Sequence, residues 1–187
     1  MKRFKKTAGA LALLLLLTLF LTGSARSGSL KPISRDYLTP QEIELVKDAQ
    51  VLDQRIDVFI KAAERRFLVL SGQTVSAPTS KKEQKETERW GGLPKGTRAE
   101  LITDIAGILD AAITNIDDVA LRDEKNPLVA KSLRKLAAAA THFQSQLTAM
   151  QQQVKENAER LAIEQALQNV QEILEAAGRL PSSAEKK

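Results

Sequence analysis

The chain has 187 residues, no cysteine and one histidine, and carries 28 basic against 23 acidic residues. Lack of cysteine excludes disulfides, thiolate metal ligands, a catalytic thiol and covalent haem attachment, and a lone histidine excludes metal sites built on two or more imidazoles. Aliphatic residues are plentiful and aromatics few, which favours helices packed on Leu, Ile, Val and Ala over a β-sandwich.

Residues 1–25 read as a secretion signal. Lys2, Arg3, Lys5 and Lys6 precede a predominantly apolar run from Ala8 to Leu21, followed by the small residues Thr22, Gly23, Ser24 and Ala25. That order matches a basic segment, a hydrophobic segment and a peptidase site, with cleavage expected after Ala25 and Ser24 the next candidate. The run falls short of the about 20 apolar residues of a comfortable membrane span, and a lipid anchor needs a cysteine that is absent. Removing this segment leaves 24 basic and 23 acidic residues. The basic character therefore belongs to the signal, and no field remains to attract nucleic acid. The expected location is periplasmic or secreted, with membrane contact only through the signal before cleavage.

Residues 26–38 are rich in Ser, Gly and Pro and read as an extended lead-in. Thr39-Pro40-Gln41-Glu42 is a capping box with proline at the first helical position. Behind it Ile43, Val46, Ala49, Leu52, Ile56, Phe59, Ala63, Phe67 and Leu70 recur at steps of three and four, predicting a helix over about 40–71. Residues 72–96 form a polar connection whose charged middle can make a short helix but has almost no apolar face to bury. Thr97-Arg98-Ala99-Glu100 is a second capping box, opening a helix over 98–122. Asn126-Pro127 opens a third, over 127–147, with a heptad-like seam at Leu133, Leu136, Ala140, Phe143, Leu147, Met150, Val154, Ala158 and Leu161. A second register, Ile163, Leu167, Val170, Leu174 and Ala177, is offset from it. Thr148 with Gln151 can cap a fourth helix over 149–178; one long bent helix is the alternative. Gly178 and Pro181 end the pattern, and residues 181–187 read as a disordered tail. The expected fold is all-α: residues 39–180 as an antiparallel bundle of three to four long amphipathic helices, coiled-coil-like in its C-terminal half.

Few side chains point to chemistry. Gly91 to Thr97 has the glycine separation of a phosphate loop, yet Lys95 precedes Gly96, so the lysine cannot take its phosphate-binding place; a turn feeding a capped helix is the plain reading. Trp90 is the only tryptophan. It either stacks on a ligand or pins its own loop to a helix pair. Asp53 and Asp57 lie one turn apart on the first helix and Asp104 on the next, so facing carboxylates can be drawn as a divalent-cation site or an acid/base couple. Against that, Arg55, Lys61, Arg65 and Arg66 alternate with the acids, and Asp57 with Lys61 is a favourable i,i+4 pair, which reads as a solvated face. His142 is expected on an exposed helix face. Gln144, Gln146, Gln151, Gln152 and Gln153 suit an exposed or self-pairing surface.

The stretch Tyr37–Gln50, continued by Asp53–Arg66, Trp90–Thr97 and Asn115–Pro127, resembles a group of uncharacterised exported bacterial helical proteins. The resemblance implies export and helicity and carries over no site residue. The expected function is that of an exported, non-enzymatic bundle acting through protein–protein contacts as an adaptor, envelope or assembly module, with a protein partner or self-association. No catalytic residue, metal or cofactor is expected. Alternatives are a bundle holding a small apolar ligand or divalent cation between the first two helices, with Trp90, Asp53, Asp57 and Asp104 as contact positions, and a carboxylate-based hydrolase.

Overall fold

A computed structural model describes residues 36–73 and 80–181. The expected signal, its cleavage after Ala25 and most of the lead-in and tail lie outside the described residues. Three capping boxes set three helix starts: Thr39 with Glu42, Ser80 with Glu83 and Thr97 with Glu100, each a side-chain oxygen on an N3 amide answered by a carboxylate on the cap amide. The described residues form six helices and no strand: α1 Pro40–Asp48, α2 Leu52–Leu70, α3 Lys81–Trp90, α4 Arg98–Arg122, α5 Pro127–Gln151 and α6 Asn157–Gly178. They make an all-helical bundle.

Several boundaries differ from the sequence reading. The helix expected over 40–71 is broken at Ala49–Val51, where Val51 turns extended and Arg55 Nε donates to the Ala49 carbonyl at 3.1 Å. Ala49 and Leu52 are both buried, so a step of three crosses the break and the apolar stripe does not register it. The charged middle of the 72–96 connection is helical over ten residues, held by its capping box and by Trp90 at its end. Thr148 does not open a new helix. α5 runs on to Gln151 because Leu147 is fully buried and Met150 half-buried on the same face, and α6 starts only at Asn157. Residues 127–178 are therefore two helices, not one bent helix. The seam does not continue through Ala158 and Leu161, both exposed; α6 turns Ala162, Ile163, Ala166, Val170 and Ile173 inward instead.

The core is built chiefly by α2, α4, α5 and α6. Ile56, Ile102, Ile105, Ile108, Leu109, Leu136, Leu147, Ile163 and Ile173 are each under 2% exposed, and burial of each such side chain contributes about 1.5–3 kcal/mol. Phe67 of α2 stacks on Phe143 of α5, ring centres 5.0 Å apart. On α2, Arg55 donates to Asn115 Oδ1 at 3.0 Å while Arg66 faces Asp104; numbers rise along α2 as they fall along α4. Arg98 meets Glu159, and Asn169 Nδ2 donates to the Ala106 carbonyl at 2.8 Å, so along α4 and α6 they rise together. Although α4 and α5 are joined only by Asp123–Asn126, each packs mainly on α2 and α6.

Lys131 and Lys135 of α5 clip α2. Lys131 reaches Asp53 at 2.9 Å, and Lys135 lies 2.8 Å from both Asp53 and Asp57. Hydrogen bonds from Lys135 and then Lys131 hold the Asp53 carboxyl below its ordinary value. Burial works against the Lys135 ammonium, but Asp53 and Asp57 outweigh it and raise Lys135. The expected Asp57–Lys61 pair does not form: Lys135 takes Asp57, and Lys61 turns to Glu86.

Two measurements check this arrangement. Phe143→Ala is expected to lose about 3–5 kcal/mol in urea unfolding, since a buried ring leaves a cavity, whereas Leu161→Ala stays within about 0.5 kcal/mol. Because the folded Asp53 pKa lies below the unfolded one, its contribution is complete above about pH 4 and disappears as pH falls through the folded value. Urea midpoints followed from neutral pH into acid are expected to fall less steeply in Asp53→Asn than in the parent.

Candidate functional site

Arg66 is 1% exposed and Glu42 fully buried. The guanidinium donates from Nη1 to Glu42 Oε1 at 2.6 Å and to the Ala62 carbonyl at 2.9 Å, and from Nη2 to the Tyr37 carbonyl at 2.6 Å. Its Nε lies 3.8 Å from Asp104 Oδ2, beyond hydrogen-bond range. Glu42 Oε2 accepts the Thr39 amide at 2.9 Å, so one carboxylate caps α1 and receives a buried cation. The face expected to be solvated is thus half interior: Asp53 and Asp57 meet α5, while Arg66 and Asp104 join α2 to α4 beneath the surface. About 20 Å of helix separates Asp53 from Arg66 at roughly 1.5 Å per residue, so Asp53 and Asp104 do not share a site. Among the described residues no group of three or more His, Asp or Glu is placed to hold a metal ion.

Arg65 carries this network outward. Its Nε donates to Glu42 Oε1 at 3.2 Å, and its Nη2 lies within hydrogen-bond reach of the Trp90, Gly91 and Gly92 carbonyls. Burial lowers the Arg65 pKa, with Glu42 opposing the shift. The three carbonyls are the orphans of the α3 C-terminus and the turn beyond it, so a cation there satisfies both helix end and dipole. Gly91 makes the turn possible, with φ +64° and ψ −167°, a conformation nearly closed to other residues. A Cβ there would also lie 3.1 Å from the Gln41 side chain.

Trp90 is 5% exposed. Its Nε1 donates to Glu86 Oε1 at 2.9 Å, Lys61 Nζ stands 4.7 Å from the ring centre and Arg65 Cζ 5.4 Å. Lys61 also bonds Glu86, which holds the Glu86 carboxyl below its ordinary value. Beside this cluster, between α2 and α3 with the following turn, lies a cleft of about 660 Å³. Its lining runs along α2 from Lys61 and Arg65 to Leu68 and Val69 and on to Gly72 beyond the helix end, with Trp90 and Leu93 opposite. The volume falls within the roughly 300–1,000 Å³ of small-molecule sites, and a mostly apolar lining with a few polar groups is their usual chemistry.

Of the four contact positions expected from the sequence, Trp90, Asp53, Asp57 and Asp104, only Trp90 lines this cleft. Asp53 and Asp57 are clipped to α5, Asp104 lies against Arg66, and His142 is exposed. Sequence reasoning missed Glu42, Arg65 and Arg66 as interior groups. The signal was present: Arg66 follows Phe59, Ala62 and Ala63 on the buried stripe, and Glu42 stands three residues before buried Leu45. No helix among the described residues is long and apolar enough to cross a membrane. No family model matches the chain, nor does any curated protein or solved structure.

Two substitutions test the site's frame. Glu42→Gln is expected to cost about 3–5 kcal/mol, because it strands a buried guanidinium. Gly91→Ala is expected to cost about 1–3 kcal/mol, while Gly92→Ala, which meets nothing within 4 Å, changes stability by under about 0.5 kcal/mol. Thermal and urea unfolding read all three.

Proposed function

We propose that this is an exported, non-enzymatic protein whose work is binding, and that the α2–α3 cleft is where it binds. The cleft itself carries the reading: about 660 Å³ bounded by the protein's only tryptophan and by Leu68, Val69 and Leu93. Export rests on the basic and apolar N-terminal segment. In favour of a non-catalytic role, the acids nearest the cleft already serve structural partners, Glu42 with Arg65 and Arg66, Glu86 with Lys61 and Trp90. We take α2, α4, α5 and α6 as a four-helix bundle in which α2 runs antiparallel to α4 and parallel to α5, a reading supported by the residue pairings 55/115 and 66/104 for the first, and 53/131 with 67/143 for the second. The bundle supplies the rigid wall and α3 the second one.

A protein partner has one observation in its favour. Lys81 to Arg89 of α3 are exposed throughout, leaving a charged helix available for contact. Native mass spectrometry of the protein, purified without denaturant from its producing cells, is expected to find a stoichiometric small-molecule adduct that Leu68→Asp removes. Size exclusion with light scattering and retention of envelope proteins cover the partner reading. An unadorned monomer with no retained partner in every preparation sinks both.

A further inference from the structure

We infer that the α2–α3 cleft takes a linear alkyl chain ending in an anionic group, carboxylate or phosphate, with the head at Lys61 and the chain along Leu68 and Val69. This rests on the cleft being the binding site and names what it binds. The order of residues along α2 sets the polarity of the slot: Lys61 and Arg65 come first, then Leu68 and Val69, with Gly72 just past the helix end. From Lys61 to Leu70, where α2 ends, the helix rises about 13.5 Å at roughly 1.5 Å per residue. A zigzag chain of about twelve carbons, with bonds near 1.5 Å, has a comparable length.

The two cations are not equivalent. Arg65 is committed to Glu42 and to the carbonyls after α3. Lys61 has three donor hydrogens and one hydrogen-bonding side chain among the described residues, Glu86, and its side chain is 40% exposed. Its ammonium overhangs the Trp90 ring at the cleft. An anionic head therefore finds spare donors on Lys61 and competes with the Glu86 carboxylate for them. Glu86 is correspondingly the group that limits affinity for an anion.

Trp90, the only tryptophan, reports occupancy directly. Its emission is followed while the purified protein, stripped of bound amphiphile, is titrated with laurate, dodecyl phosphate, dodecanol or dodecyltrimethylammonium below their micelle-forming concentrations. The anionic pair is expected to bind saturably and roughly tenfold tighter than dodecanol. Lys61→Met brings laurate down to the level of dodecanol and leaves dodecanol unchanged. Glu86→Gln, which keeps the acceptor for Trp90 but removes the charge, tightens laurate. Circular dichroism melts establish that both variants are folded. Two variants moving affinity in opposite directions cannot arise from general loosening of α3. The head-group assignment is overturned if the cationic amphiphile binds as tightly as laurate, or if Lys61→Met leaves laurate unaffected. Saturable dodecanol binding alone keeps the cleft as a binding site while overturning the anionic ligand. No saturable response to any of the four overturns the ligand and the cleft reading together.

Discussion

The buried ion pair between Glu42 and Arg66 is the constraint on which the rest of the molecule is arranged. Both groups are out of water, and an ionised side chain moved there costs several kcal/mol unless it is paired and hydrogen-bonded. Compensation comes from four directions: the α1 cap amide at Thr39, the Tyr37 carbonyl before it, the Ala62 carbonyl one turn back on α2, and Asp104 across on α4. Each partner belongs to a different piece of chain, so satisfying one ion pair fixes the lead-in, α1, α2 and α4 in mutual register. A purely apolar contact would hold the same elements without specifying where along α2 they meet.

Near this point two other contacts remove freedom. Gly107 on α4 lets the Tyr37 ring lie close, since a Cβ at that position would come within 3.0 Å of it. On the far side of α4, Asn169 ties α6 to the Ala106 carbonyl. A buried side-chain amide has to find its partner or lose about 1–3 kcal/mol, so this bond fixes the slide of α6 along α4 where the aliphatic side chains alone tolerate several offsets. Register is thus set by a few polar groups embedded in a core that is otherwise mainly aliphatic.

The helical character was legible because it rests on local chemistry: three-and-four spacing of apolar residues, capping boxes at Thr39 and Thr97, and proline after Asn126. What was not legible depends on tertiary partners. The break at Ala49–Val51 keeps the apolar step and so leaves no mark in the pattern, and the extension of α5 past Thr148 is decided by Leu147 and Met150 finding neighbours. Glu42 reads as a cap because the cap is local; its second role needs Arg66, 24 residues away. Asp104 and Arg66 occupy stripe positions, and a charged residue on an apolar stripe is the pattern a buried pair leaves. Trp90 stood out by composition alone, yet the cleft beside it follows from α3 folding, which its charged sequence barely announces.

Charge at the cleft is divided into a fixed part and an adjustable part. Arg65 is held by a buried carboxylate and by the carbonyls of Trp90, Gly91 and Gly92, so moving it would undo both the α1 anchor and the α3 terminus. Lys61 and Glu86 are a different kind of pair, about half exposed, and exposed pairs contribute only about 0–1 kcal/mol. Separating them is therefore cheap, while separating Arg65 from Glu42 is not. The cleft can change its electrostatic character at one edge without disturbing the packing behind it. That difference between neighbouring cations, only one turn apart on α2, is what allows a rigid helical frame to keep a responsive surface.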